Sequence, residues 1–148
     1  MIAGYTLAVM LTYRANHSRG YGAVRNARRA LISFVATCGF QSELLADVES
    51  AVGEALANAA EHGDGESMAD VDVWATFDGK RLVIEVDDHG IGFDCAAALQ
   101  RTDPNSAGDR GFGIFIMRTL MDEVAYSDRG TRVQLVKRAP GMAPNARV

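Results

Sequence analysis

The sequence predicts an α+β fold, a two-layer sandwich with helices on one face of a mixed, mostly antiparallel sheet. Three observations predict it. Two runs of helical periodicity stand side by side between residues 23 and 62. Two alternating runs, 71–77 and 81–86, are separated by an Asp78-Gly79 hairpin signal. A third helical run is followed by another pair of short strands. The resulting order, β-α-α-β-β-loop-α-β-β, groups the helices beside the sheet. A chain of 148 residues suits a single domain. Residues 1–138 are expected to form it, with 139–148 a loose Pro-containing tail.

The elements follow in order. Leu7 to Arg14 reads as a strand, with Leu7, Val9, Leu11 and Tyr13 on one side. A polar loop, RANHSRGYG, leads to a helix over about 23–38. Its apolar face is Val24, Ala27, Leu31, Phe34 and Val35, and Gly39 suits the C′ position. Ser42 is the expected N-cap of a second helix, with acidic Glu43 in its first turn. That helix buries Leu44, Leu45, Val48, Val52, Ala55, Leu56 and Ala59 and stops at Gly63. Val71, Val73, Ala75 and Phe77 alternate as a strand, and Arg81 to Val86 returns with Leu82, Ile84 and Val86 inward. DDHGIGFD is a glycine-bearing loop, 95–101 a short helix and 102–111 a polar loop. FGIFIMRTLMDEV carries the third main helix. Val124–Ser127 and Arg132–Lys137 are strands joined by a turn at 128–130.

Composition excludes several classes. Apolar residues make up 48% of the chain and charged residues 23%, enough for a core and unlike a disordered chain. A formal net charge of −4 disfavours a general nucleic-acid binder. Arg25, Arg28 and Arg29 read as a solvated helix face. The two cysteines, Cys38 and Cys95, form no CxxC and no metal-ligand spacing, and reduced thiols are expected. The apolar opening MIAGYTLAVML lacks a basic region before it and a small-residue cleavage site, and is too short to span a bilayer. No membrane association and a cytoplasmic location are therefore expected.

Three segments carry candidate chemistry. Glu54, Asn58 and His62 fall four apart in EALANAAEHG and so along one side of a helix. Glu54 and Asn58 lie just off the apolar face, which by itself suits an ordinary polar edge. His62 falls within the apolar arc, which suits packing or a helix end. An amide oxygen is, however, a hard ligand suited to Mg²⁺, and a carboxylate one turn away can orient or deprotonate a nucleophile. Asp88-His89-Gly90-Ile91-Gly92 follows a strand. It is either a tight turn or an acceptor carboxylate that meets an exocyclic amine, with glycines that let backbone approach a flat ring. Gly108-Asp109-Arg110-Gly111-Phe112-Gly113 precedes a helix, either as a plain helix start or as an anion site on its free N–H groups. It is not a P-loop, since no GK[ST] follows, and it does not fit GxGxxG.

Taken together and in this order, ExxxN on a helix, DxGxG after a strand and GxG opening a helix resemble the ATP-binding domain of the GHKL group. Gyrase, the Hsp90 chaperone, histidine kinases and MutL share that domain, the Bergerat or histidine-kinase-like ATPase fold. EALANAAEHG looks like its N box, DDHGIGFD its first glycine box and RGFGIFIMRTLMDEV its second. The likeness covers nearly the whole chain. It is greatest to the bacterial anti-sigma factor serine/threonine kinases of the SpoIIAB and RsbW type, whose Gly-Thr before the last strand is matched by Gly130-Thr131.

The resemblance implies roles. Glu54 is the general base or hydroxyl-orienting residue, and Asn58 is the Mg²⁺ ligand. Asp88 accepts a hydrogen bond from the adenine amine of ATP, a site shaped by Gly90 and Gly92 and supported by Thr131 through water. Gly111, Phe112 and Gly113 bring backbone to the phosphates, and Arg110 is a candidate γ-phosphate contact. The implied partners are a STAS-type anti-sigma antagonist as phosphoacceptor, a sigma factor and a second copy of the chain. The competing expectation is a nucleotide-binding regulatory module with little or no kinase activity. The catalytic half of a histidine kinase fits less well, because no helix offers a phospho-accepting histidine in a four-helix bundle. Gyrase- and MutL-like ATPases would need a transducer domain.

Overall fold

Alternation and helical periodicity each find their partner across one interface. A computed structural model of the chain describes residues 8–15, 21–62, 71–88, 108–127 and 129–141. Within them the order is β1 (Val9–Ala15), α1 (Tyr21–Thr37), α2 (Ser42–His62), β2 (Val71–Phe77), β3 (Arg81–Asp87), α3 (Gly108–Leu120), β4 (Glu123–Tyr126) and β5 (Arg132–Arg138). The strands lie side by side as β1-β2-β3-β5-β4. Every described pairing is antiparallel, where the sequence allowed for a mixed sheet. The predicted short helix at 95–101 and the start of the polar loop at 102–107 lie outside the described residues, as does the tail from 142.

The core is the layer between helices and sheet. Leu82, Ile84 and Val86 of β3, Val71, Val73 and Ala75 of β2, and Val133 and Leu135 of β5 are buried on one face. They meet Ala27, Leu31 and Val35 of α1, Val48, Val52, Ala55, Leu56 and Ala59 of α2, and Ile114 and Met117 of α3. The predicted apolar stripes of α1 and α2 are thus the stripes that pack, with Ala51 added to the second. Phe40, fully buried in the α1–α2 connection, meets Phe77 edge-on at 5.7 Å between ring centres.

Local sequence sets several boundaries. α1 ends where Gly39 takes φ 95°, its amide bonded to the Ala36 carbonyl at 3.1 Å. The β2–β3 hairpin turns through Gly79 at φ 88°, and the Asp78 carboxylate accepts from the amides of Lys80 and Arg81 at 2.8 and 2.7 Å. Those backbone hydrogen bonds hold the Asp78 carboxyl below its ordinary value. Cys38 is a free, half-buried thiol, pushed up by burial.

Two local readings need correction. Ser42 opens α2 with φ 50°, and Leu45 N–H bonds to the Gln41 carbonyl at 3.4 Å rather than to the Ser42 hydroxyl. The third helix starts at Gly108, so residues 108–111 are helical instead of loop. Glycine propensity argues against that turn locally, but packing of the whole helix on α2 outweighs a penalty of about 1 kcal/mol per glycine.

The other sheet face has no described helix on it. There the register sets Arg14, Asp72, Asp87 and Arg132 in one row across four strands. Arg14 grips Asp72 with two bonds, at 2.6 and 2.9 Å. Arg132 bonds Asp87 at 3.0 and 3.2 Å and lies over the Trp74 ring, 5.2 Å from its centre.

Candidate functional site

The site begins on α2. Glu54 and Asn58 are half-buried, one turn apart, while Ala57 between them is exposed and Ala55 and Ala59 face the core. The partner surface is α3, which makes its main packing contact with α2. Gly113 of α3 faces both side chains. A methyl group there would sit 2.9 Å from Glu54 Oε2, 3.5 Å from Asn58 Nδ2 and 3.7 Å from Asn58 Oδ1. The first contact is nearer than a Cβ tolerates, so a side chain at 113 would push the Glu54 carboxylate aside, whereas the Asn58 amide would be in ordinary contact. The second turn of α3, just past the free N–H groups of residues 108–111, therefore lies against an acid and an amide of α2.

The second part of the site is the end of β3. Asp87 and Asp88 are each 6% exposed, yet strand alternation sends them to opposite sides. Asp87 faces the open side and pairs with Arg132. Asp88 follows the Val86 side and lines a small cavity with Ala55, Asn58, Ala59, Val86, Tyr126, Gly130, Thr131 and Val133. The Asp88 amide bonds to the Thr131 carbonyl at 3.0 Å, tying the β3 end to the start of β5. Gly130 reaches this position with φ 72°, its amide bonded to the Ser127 carbonyl at 2.8 Å. The cavity formed by these residues alone is about 20 Å³, the room of one water.

Residues 19–137 match the model of the histidine kinase-like ATPase domain. The chain belongs to that family. Among individual proteins it is similar to the serine-protein kinase RsbW of Listeria monocytogenes serotype 4a (strain HCC23), 31% identical over 119 residues, which cover 74% of this chain and 76% of that one. It is also similar to the anti-sigma F factor of Clostridium kluyveri (strain ATCC 8527), 31% identical over 117 residues, 75% of this chain and 82% of that one. The anti-sigma F factor of Thermoanaerobacter sp. (strain X514) is 32% identical over 120 residues, with the same coverage of 75% and 82%.

Of the residues singled out in the sequence of this histidine kinase-like ATPase domain, five converge. Asn58, Asp88 and Thr131 share the cavity, and Glu54 and Asn58 meet Gly113. Phe112, one residue before that contact, turns its side chain outward and is 51% exposed, so its backbone alone is near the seam. Arg110 and Gly111 belong to the first turn of α3, but the Arg110 side chain lies outside the described residues. Gly90 and Gly92 lie outside them altogether, as do Cys95 and the His62 side chain. Tyr126 and Gly130 escaped the sequence reading as lining residues. Tyr126 looked like one more alternating strand position, whereas Gly130 stood beside Thr131 in the Gly-Thr pair and could have been found there. Among the described residues no three His, Cys, Asp or Glu side chains gather as a metal cage, and no helix is long and apolar enough to cross a membrane.

Proposed function

We propose that this domain is an ATP-dependent anti-sigma factor and serine/threonine protein kinase. Its substrate is a serine or threonine of a STAS-type anti-sigma antagonist, and it also sequesters a sigma factor. The relatives named as a serine-protein kinase and as anti-sigma factors support this reading. The observation that carries it is the meeting of Gly113 with the Glu54 carboxylate and the Asn58 amide. The single-domain organisation over 1–138, a homodimer and a cytoplasmic location belong to the same proposal.

The chemistry follows from the residues. Asp88 accepts from the adenine amine, with Thr131 beside it on the same cavity wall. The first turn of α3, residues 108–111, brings free N–H groups to the phosphates, where they offset negative charge, and Gly113 one turn on keeps the helix backbone close to Glu54 and Asn58. The donor set suits Mg²⁺, because Asn58 offers one amide oxygen and phosphates and water supply the remaining ligands. The ion would neutralise charge on the phosphates when bound. Glu54 aligns the acceptor hydroxyl and takes its proton as the new O–P bond forms. The bond from the γ-phosphorus to the bridging oxygen breaks, ADP leaves, and the proton passes from Glu54 to solvent.

The test is phosphotransfer from labelled ATP to a purified STAS protein of the same genome. Glu54→Gln should keep ATP affinity within a few fold and lower transfer by about a hundredfold or more. Transfer by Glu54→Gln at the wild-type rate would remove Glu54 from the mechanism. A wild-type domain that binds ATP and a sigma factor, yet phosphorylates no candidate, would establish the regulatory-module reading instead.

A further inference from the structure

Among the described residues the mechanism leaves one buried cation unused. Lys137 of β5 is 9% exposed, on the same strand face as buried Val133 and Leu135. Its Nζ donates to the carbonyl of Leu120, the last residue of α3, and stands 3.6 Å from Asp47 Oδ2 on α2. A cation at a helix C-terminus meets the negative end of the dipole and an orphan carbonyl together. Lys137 therefore joins three elements at one point.

That point lies on the same seam as the candidate site. Asp47, Glu54 and Asn58 are spaced seven and four apart on α2, which sets them within about 40° of one another around the helix. From Gly113 to Leu120 on α3 is seven residues, and from Glu54 back to Asp47 on α2 is seven as well. Each step is a rise of about 10 Å. Because Gly113 meets Glu54 and Leu120 meets Asp47 through Lys137, the two helices run antiparallel with matched spacing between the two contacts. A slip of α3 along α2 would break both contacts at once.

We propose that Lys137 is a positioning residue. With Asp47 it clamps the far end of the α2–α3 seam and so sets where the Gly113 backbone stands against Glu54 and Asn58. The chain after α3 is anchored to the same strand. Asp122 N–H bonds to the Val136 carbonyl at 2.9 Å, and the Asp122 carboxylate accepts from the Arg138 amide at 2.7 Å. These bonds hold α3 to the sheet, and the Lys137–Asp47 pair adds an ionic tie from that strand to α2, beside the packing of α3 on α2. The adenine-side residues Asp88 and Thr131 stand at the end of β3 and before the start of β5, whereas Lys137 is near the opposite end of β5.

The consequence for nucleotide rests on the kinase reading; the consequence for the seam does not. The test uses the full chain with Lys137→Met and, separately, Asp47→Asn, which alters a side chain 27% exposed and so spares the fold. In nucleotide-free amide spectra both variants should displace the signals of Gly113, Glu54 and Asn58 and leave those of Asp88 and Thr131 in place. In calorimetry Mg-ATP affinity should fall about tenfold or more, since a displacement of about 1 Å at such a site carries effects of that size, while ADP in EDTA stays within about threefold. Unmoved Gly113 and Glu54 signals would overturn the clamp. So would displacement spread equally to Asp88 and Thr131, or equal losses for Mg-ATP and metal-free ADP, which describe general loosening. Selective displacement in a protein whose wild type binds no ATP would uphold the clamp and bring down the kinase reading.

Discussion

The two faces of the sheet use the same strands for opposite ends. Toward the helices, β2, β3 and β5 present Val71, Val73, Ala75, Leu82, Ile84, Val86, Val133 and Leu135, all buried. Toward the open side, the intervening positions present Trp74, Glu85, Asp87, Arg132 and Gln134, tied by ion pairs and hydrogen bonds. The first face holds the fold by removing apolar area from water. The second is held by pairs that are partly solvated and individually worth little. At the end of β3 the contrast narrows to neighbours. Asp87 serves the open face, and Asp88 lines the cavity on the helix side. One step along a strand separates a structural carboxylate from a candidate ligand carboxylate.

The largest effect should come from the helix-covered face. Leu135→Ala empties a fully buried position and should cost about 2–5 kcal/mol in urea unfolding. Its neighbour Gln134 bonds Glu85 at 3.0 Å on the other face, and Gln134→Ala should cost under about 1.5 kcal/mol. Equal losses would dissolve the contrast between the faces.

Next comes the pair of aspartates. Asp88→Asn replaces an acceptor oxygen by a donor facing the adenine amine, and calorimetry should show a loss of about 1.5–3 kcal/mol in ATP affinity. Asp87→Asn weakens the bonds to Arg132 and should lower stability while ATP affinity holds. The assignment of Asp88 fails if the two substitutions exchange their effects.

The smallest effect belongs to the hairpin tip, outside both faces. The Asp78 carboxyl lies below its ordinary value because two amides donate to it. Its folded value is below its unfolded one, so its contribution is present above the unfolded value and is lost as pH falls through the folded one. Asp78→Ala should cost about 0.5–1.5 kcal/mol at neutral pH, and the gap from wild type should close in acid. A gap that stays constant down to acid pH would mean that the charge contributes nothing.

What was legible in advance followed from short-range rules. The alternation of Leu82, Ile84 and Val86 places Asp88 with them and Asp87 against them, and the apolar spacing of α2 leaves Glu54 and Asn58 at its margin. Both follow from backbone periods that neighbours along the chain impose. The start of α3 was misplaced because glycine propensity is a local quantity, whereas that helix is held by its packing on α2.

By itself, then, the sequence determined the elements, their inward faces and a set of chemically apt residues in recognisable order. Which of those residues touch was decided by the tertiary structure. Gly113 meets Glu54 across 59 positions of sequence, and Lys137 meets Asp47 across 90. No period links such positions. They meet because two antiparallel helices settle at one register on one sheet, and that register is set by core packing and the length of each helix.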